Sequence, residues 1–236
     1  MVSNNDRARA IVLKLLKLPH ARIIADAPPR AKVLDIGCGN GSPTRAKALR
    51  QDIHYAGVDI QEYNFSAKDR ANCDSFTILD PADFNRQLVA AFEPAAFQLI
   101  LMKHVIEHAD DYPGLLSAAF QLLQPGGRLY LSFPSYESIG LVRADAGTLN
   151  FWDDPTHHRP PCLNDVVDSL LALGMTPERV ILRHRHPILR WPATAVYALQ
   201  KIRRSLGLPF KASALQWHAV GFEHVMIFSR KEIERQ

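Results

Sequence analysis

The 236-residue chain is short of sulfur and of unbroken apolar sequence. Its three cysteines, Cys38, Cys73 and Cys162, are odd in number and far apart, so neither a disulfide framework nor zinc-ligand spacing is signalled. A reducing compartment, the cytoplasm, is the expected setting. No stretch has the apolar length of a membrane span. The apolar run at 11–18 is broken by Lys14 and Lys17, and Asp6 stands where a secretory signal would be basic, so no such signal is read. The sequence has no internal repeat. Neither charge dominates: Lys and Arg number 28 against 24 Asp and Glu, and the net +4 permits an anionic partner without requiring one. The length suits one domain, here residues 1–236, with elaborations at 1–30, 135–161 and 187–220.

What is present concentrates at residues 33–41, Val-Leu-Asp-Ile-Gly-Cys-Gly-Asn-Gly. Val33, Leu34 and Ile36 suit a buried strand, three glycines follow, and Ser42 and Pro43 suit the N-cap and first turn of a helix. A strand that runs through a glycine hinge into a helix brings backbone close to a ligand. The spacing is G-x-G-x-G, and Asp35 precedes it. A carboxylate there repels a pyrophosphate and suits an ammonium, which argues against a nicotinamide or flavin enzyme.

Downstream the chain alternates strand and helix. Strands are expected at 54–59, 76–79, 97–102, 128–133, 178–184 and 222–229. Helices are expected over 43–50, 115–123 (stopped by Pro125-Gly126-Gly127), 164–173 and 189–206. A first helix, capped by Asn4 or Asn5 and ended by Pro19, places Ile11, Leu15 and Leu18 on one face. The alternation predicts an α/β fold with a parallel sheet, right-handed crossovers and a ligand crevice at the carboxyl ends of the strands. Asp59 ends the second strand a little over 20 residues past the glycines, where one carboxylate can accept from both hydroxyls of a ribose. Asp80-Pro81, with Asp83 nearby, is a turn signal after the third strand. The loop at 135–161 carries function or disorder by its length; its aromatics and prolines favour order.

Four segments together resemble the class I S-adenosylmethionine-dependent methyltransferases, on the small-molecule side of that fold. They are the glycine stretch at 34–41, Gly57-Val58-Asp59, residues 97–108 including His104-Val105-Ile106-Glu107-His108, and residues 122–128 around Pro125-Gly126-Gly127. The resemblance implies a Rossmann-like, doubly wound seven-stranded sheet with its last strand antiparallel, here with a helical elaboration before that strand. It implies S-adenosylmethionine as cofactor, held by Asp35, Gly37, Cys38, Gly39, Asp59, Ile60, Asp80, Lys103 and His104, with Asp80 or Asp83 facing the adenine amino group. It further implies one-step methyl transfer to a small or medium-sized acceptor. Oxygen is the favoured atom, on a sugar, a phenol or a lipid-linked glycan precursor. Lys103-His104-Val105-Ile106 stands where enzymes methylating adenine, cytosine or glutamine nitrogens carry Asp/Asn-Pro-Pro-aromatic, which disfavours those substrates.

His157 and His158, and secondarily His104, are the candidate general bases, because imidazole titrates near neutrality. No metal is expected. The alternative is a divalent ion on Glu107 and His108, joined by His104 and by His157 or His158. The metal-dependent relatives that this arrangement resembles have an acid where His104 stands. Residues 189–206 form a basic amphipathic helix that faces the core with a solvated basic side, covers the substrate site, or rests on an anionic membrane. Two other classes stay open: an RNA methyltransferase, for which no binding module is evident, and a cofactor-binding protein without catalysis.

Overall fold

The computed structural model of the chain describes residues 3–39 and 41–232; Asn40 of the glycine stretch lies outside them. Seven strands form one sheet in the order β3-β2-β1-β4-β5-β7-β6. They are β1 (Lys32–Ile36), β2 (His54–Asp59), β3 (Ser75–Ile78), β4 (Phe97–Lys103), β5 (Leu123–Pro134), β6 (Met175–Ile181) and β7 (Glu223–Arg230). β1 to β5 pair in parallel, and β7 runs antiparallel to both β5 and β6. The doubly wound Rossmann-like fold with an antiparallel last strand is therefore present.

Successive strand residues face opposite sides. Leu34, Ile36, Ile100 and Met102 fill one core under α5 (Phe84–Ala90), α6 (Tyr112–Leu122) and α7 (Leu163–Ala172). Val33, Leu99, Leu101 and Tyr55 fill the other, under α1 (Asn4–Leu15), α2 (Pro19–Ala25) and α3 (Ser42–Leu49). The same alternation places Asp35 and Lys103 on this second side, at the ends of neighbouring strands. α4 (Ala67–Ala71) precedes β3. A third, small core lies over the sheet's carboxyl edge, where Leu149 of the long loop meets Phe210, Val220 and Phe222 beside α8 (Arg190–Ser205) and α9 (Ala214–Val220).

Several boundaries differ from expectation. Ser3 caps α1 in a reciprocal capping box with Asp6, in place of Asn4 or Asn5. Lys17 breaks the chain with φ 52, and Pro19 starts α2 where it was expected to end α1. Ile11 and Leu15 point to solvent. Gly41, with φ 78, caps α3, so Ser42 and Pro43 already lie inside the helix. The Pro125-Gly126-Gly127 segment is the irregular start of β5, across from a register shift between Phe97 and Leu99. β6 begins three residues earlier than read, because this edge strand is exposed along most of its length and has no apolar alternation.

Candidate active site

The residues that precede and follow the glycine loop converge at the carboxyl edge. Gly37 has φ 71, and a Cβ there would stand 2.6 Å from a Val105 methyl, so neither the backbone nor the space admits a side chain. A Cβ on Gly39 would stand 2.9 Å from the Tyr63 carbonyl. Asp59 is held at both oxygens: Gly39 N–H of this loop donates to Oδ2 at 2.9 Å and the next residue's N–H, that of Ile60, to Oδ1 at 2.8 Å. Its carboxylate is thereby fixed beside the glycines at the crevice expected of such sheets. Ile60 itself is exposed.

Asp35 is fully buried. The Tyr55 hydroxyl donates to its Oδ2 at 2.7 Å, and Lys103 Nζ donates to the same oxygen at 3.0 Å and to Ser42 Oγ at 3.1 Å. Oδ1 has no partner among the described residues. A buried carboxylate oxygen left bare costs on the order of 1–3 kcal/mol, and a donor entering the crevice would recover it. Burial, reinforced by the Asp35 charge, raises the Tyr55 hydroxyl well above its usual pKa and keeps it a donor.

Two of the expected contacts have a structural role. Cys38 turns its side chain into the core against Gly57, so only its backbone is left for a ligand. Asp80 caps the turn after β3, accepting from Ala82 N–H at 2.9 Å, as the turn reading of Asp80-Pro81 had it.

His104 sits just past β4 with φ 55, a costly conformation held by its N–H donating to the Ser132 carbonyl at 2.8 Å. Its ring lies between two carboxylates, Nδ1 3.1 Å from Glu107 Oε1 and Nε2 2.9 Å from Glu223 Oε2. Burial opposes charge on this imidazole, but the two carboxylates prevail and push its pKa up to about 10. Glu223, buried likewise, is held well below the usual carboxylate range by His104 and His184. His104 is thus an imidazolium with both N–H groups engaged, and it is no base near neutrality. Trp217 of α9 lies against it at 4.9 Å between ring centres, with Phe222 stacked at 6.0 Å.

The metal alternative joins His104 to Glu107 and His108. Instead Ile106–His108 is a short 3-10 turn from which the His104 ring spans Glu107 and Glu223, while Glu107 also joins His108 and His157 in a cluster that does not include His104. One ligand atom from each of these three lies within 4.8 Å of the others. Glu107 is fully buried and its Oε2 has no partner among the described residues. His157 Nδ1–H donates to the Phe151 carbonyl at 2.6 Å, which leaves Nε2 as the nitrogen with a free lone pair. Burial lowers the His157 pKa and keeps the ring neutral. His158 stands apart, with Nδ1 2.7 Å from Asp110 Oδ1 in an exposed pair. The loop carrying both histidines is ordered: Asn150 donates to the Ile139 and Leu141 carbonyls, and Asp153 accepts from the Leu149 and Asn150 N–H groups.

The methyltransferase-domain family matches residues 6–236 of this chain. The chain belongs to that family. Over 102 residues it is 30% identical to a ubiquinone biosynthesis O-methyltransferase of Leptothrix cholodnii, covering 43% of each chain. Over 102 residues it is 32% identical to the protein of the same name from Xylella fastidiosa, covering 43% of this chain and 41% of that one. The matched stretch spans less than half the length of either relative. A SAM-dependent methyltransferase from Archaeoglobus fulgidus shares the fold, with a TM-score of 0.58 and 18% identity over 92% of this chain and 94% of that chain. No helix among the described residues is long and apolar enough to cross a membrane.

Tyr55 and Glu223, which bond to Asp35 and His104, are the residues of the candidate site that the sequence did not single out. Glu223 did leave a signal, as the first acid after Glu178.

Proposed function

We propose that this methyltransferase-domain protein moves the methyl group of S-adenosylmethionine to an oxygen nucleophile on a small or medium-sized acceptor. The observation that carries the proposal is the Asp59 carboxylate, clamped by the Gly39 and Ile60 N–H groups at the crevice where a ribose diol needs paired acceptors. The crevice residues suit the rest of the cofactor. The bare Asp35 Oδ1 suits the methionine ammonium, and the backbone of Gly37, Cys38 and Gly39 allows close approach. Asp80, Ile60 and Lys103 border the same edge, with one Asp80 oxygen left beyond its capping bond. The cofactor's sulfonium supplies an electrophilic methyl and a neutral leaving group. The protein's share is alignment, which can supply on the order of 7–11 kcal/mol of the barrier.

An oxygen acceptor starts protonated, and His157 is the base that the geometry favours. It is neutral, its tautomer is set by Phe151, and it stands beside Glu107 at the same edge. The two O-methyltransferase relatives support oxygen as the methylated atom. The proposed acceptor hydroxyl sits on a sugar, a phenol or a lipid-linked glycan precursor. A second reading has one observation behind it: Glu107, with its bare Oε2, His108 and His157 form a donor set suited to a divalent ion. Full activity after chelation would remove that reading and leave His157 as the base.

Calorimetry with S-adenosylmethionine, followed by a labelled-methyl screen over hydroxylated acceptors, tests the proposal. Micromolar binding and transfer to oxygen are expected. Tighter binding of a nicotinamide dinucleotide, or label only on nucleic acid, would overturn it.

A further inference from the structure

Helix α8 is built inside out. Trp191, Ala195, Ala198, Leu199, Ile202 and Leu206 recur at helical spacing and share a stripe roughly 100° wide. In a water-facing helix that stripe turns to the core. Here it faces outward, with Trp191 68%, Leu199 57%, Ile202 58% and Leu206 71% exposed. The opposite face does the packing. Ala193 is the buried residue of the helix, Tyr197 meets Phe210 at 6.1 Å between ring centres, and the Gln200 side-chain oxygen accepts from Lys211 N–H at 3.0 Å. The apolar stripe is thus surplus to this protein's own fold, and an exposed patch of this kind marks an interaction surface.

Charge identifies the occupant. From residue 179 to residue 222 the chain holds eight arginines and lysines and no aspartate or glutamate. On α8 the cations flank the stripe: Arg190 and Lys201 on one side, Arg203 on the other. Arg190 lies over the Trp191 ring at 4.8 Å. A second copy of the chain pairing through the same face would set these cations against each other. An apolar stripe rimmed by cations, with an aromatic at its start, is the composition of a helix that lies in the plane of an anionic bilayer. The His186 ring also bonds to the Leu16 carbonyl, joining the start of this insertion to the end of α1. α1 turns Ile11 and Leu15 outward and carries Lys14, with Lys17 just beyond it, so it repeats the pattern.

We propose that α8 docks the protein on an anionic phospholipid surface, with its apolar stripe among the acyl chains and its flanking cations on the headgroups. Trp217 of the adjoining α9 stands against His104, so docking brings the crevice to the bilayer, where an acceptor with a hydrocarbon tail resides. The docking stands independently of methyl transfer, and either can fail without the other.

The test is co-sedimentation of the full chain with vesicles of phosphatidylcholine, with and without phosphatidylglycerol, alongside Trp fluorescence. Binding at least about tenfold stronger to the anionic vesicles, weakened by salt, is expected. The double variant Leu199→Asp, Ile202→Asp should lose that binding while keeping its circular dichroism and its affinity for S-adenosylmethionine, since both side chains are exposed. Equal binding to both vesicle types would overturn the proposal, as would no binding or binding unchanged in the double variant. A dimer in light scattering that the double variant makes monomeric, with no vesicle binding, would assign the face to a second copy instead.

Discussion

Replacing Glu223 by glutamine removes one of the two negative charges that hold His104 while leaving an oxygen where the ring N–H can still donate. The His104 pKa stands at about 10 against an ordinary 6.5. At about 1.4 kcal/mol per unit, that displacement bounds the contribution of the charged ring at about 5 kcal/mol. A charge-assisted hydrogen bond becomes a neutral one in the variant, so a loss of about 1.5–3 kcal/mol is expected near neutrality. The pH dependence carries the sign. A folded pKa raised above the unfolded value stabilises fully below pH 6.5, and the effect fades as pH climbs through about 10. The difference between wild type and Glu223→Gln should therefore be largest on the acid side of 6.5 and shrink, or reverse, as pH nears 10. Urea titrations across that range measure it. A difference that stays constant with pH would refute the charged-ring account and reduce Glu223 to a packing residue.

Asp59→Asn places an amide N–H₂ where the diol needs an acceptor, and should weaken S-adenosylmethionine binding about 10- to 100-fold by calorimetry, or about 1.4–2.7 kcal/mol. Unchanged affinity would separate Asp59 from the ribose. His157→Ala should lower kcat by about 10²–10⁴-fold and leave cofactor affinity intact. Equal loss of both would make His157 a structural residue of the loop. His20 and His218 are held neutral, each near a pKa of about 4, chiefly by burial. Their folded values are lowered, so the stability they add is present above pH 6.5 and lost as pH falls toward 4. His104 does not offset this loss, being protonated in both folded and unfolded states there. Urea midpoints should fall over that window, and a flat profile would count against both assignments.

Legibility in the sequence followed burial. β1, β2 and β4 lie within two residues of where their apolar runs put them, because parallel strands covered on both faces must be apolar throughout. β6 at the sheet edge has Pro177 and a row of exposed side chains, and was misplaced by three residues. α4, α5 and α9 span five to seven residues each, too few turns for a helical period to stand out. Pro19 was ambiguous in principle: the same residue ends one helix and opens the next, and Leu18, buried between them, decided for opening.

The candidate site divides along a similar line. Asp35, the glycines and Asp59 were readable because their chemistry is local to one turn and one strand end. The partners that hold Asp35 and His104 in place come from elsewhere in the chain. Tyr55 reaches Asp35 across the β1–β2 register, and Glu223 reaches His104 across 119 residues. No local pattern encodes such meetings. The helix at 190–205 shows a different limit. Its period was legible, yet a stripe that packs on a core and a stripe that packs on a bilayer have the same period. What separates them is charge: an interior-facing helix has no need for 44 residues around it without one acid, whereas an anionic surface favours that composition. Read with that absence in view, residues 179–222 have an electrostatic reason for the outward face that the fold presents. The same absence leaves Glu223, at the first position of β7, as the carboxylate that closes the segment and turns its one negative charge inward to His104.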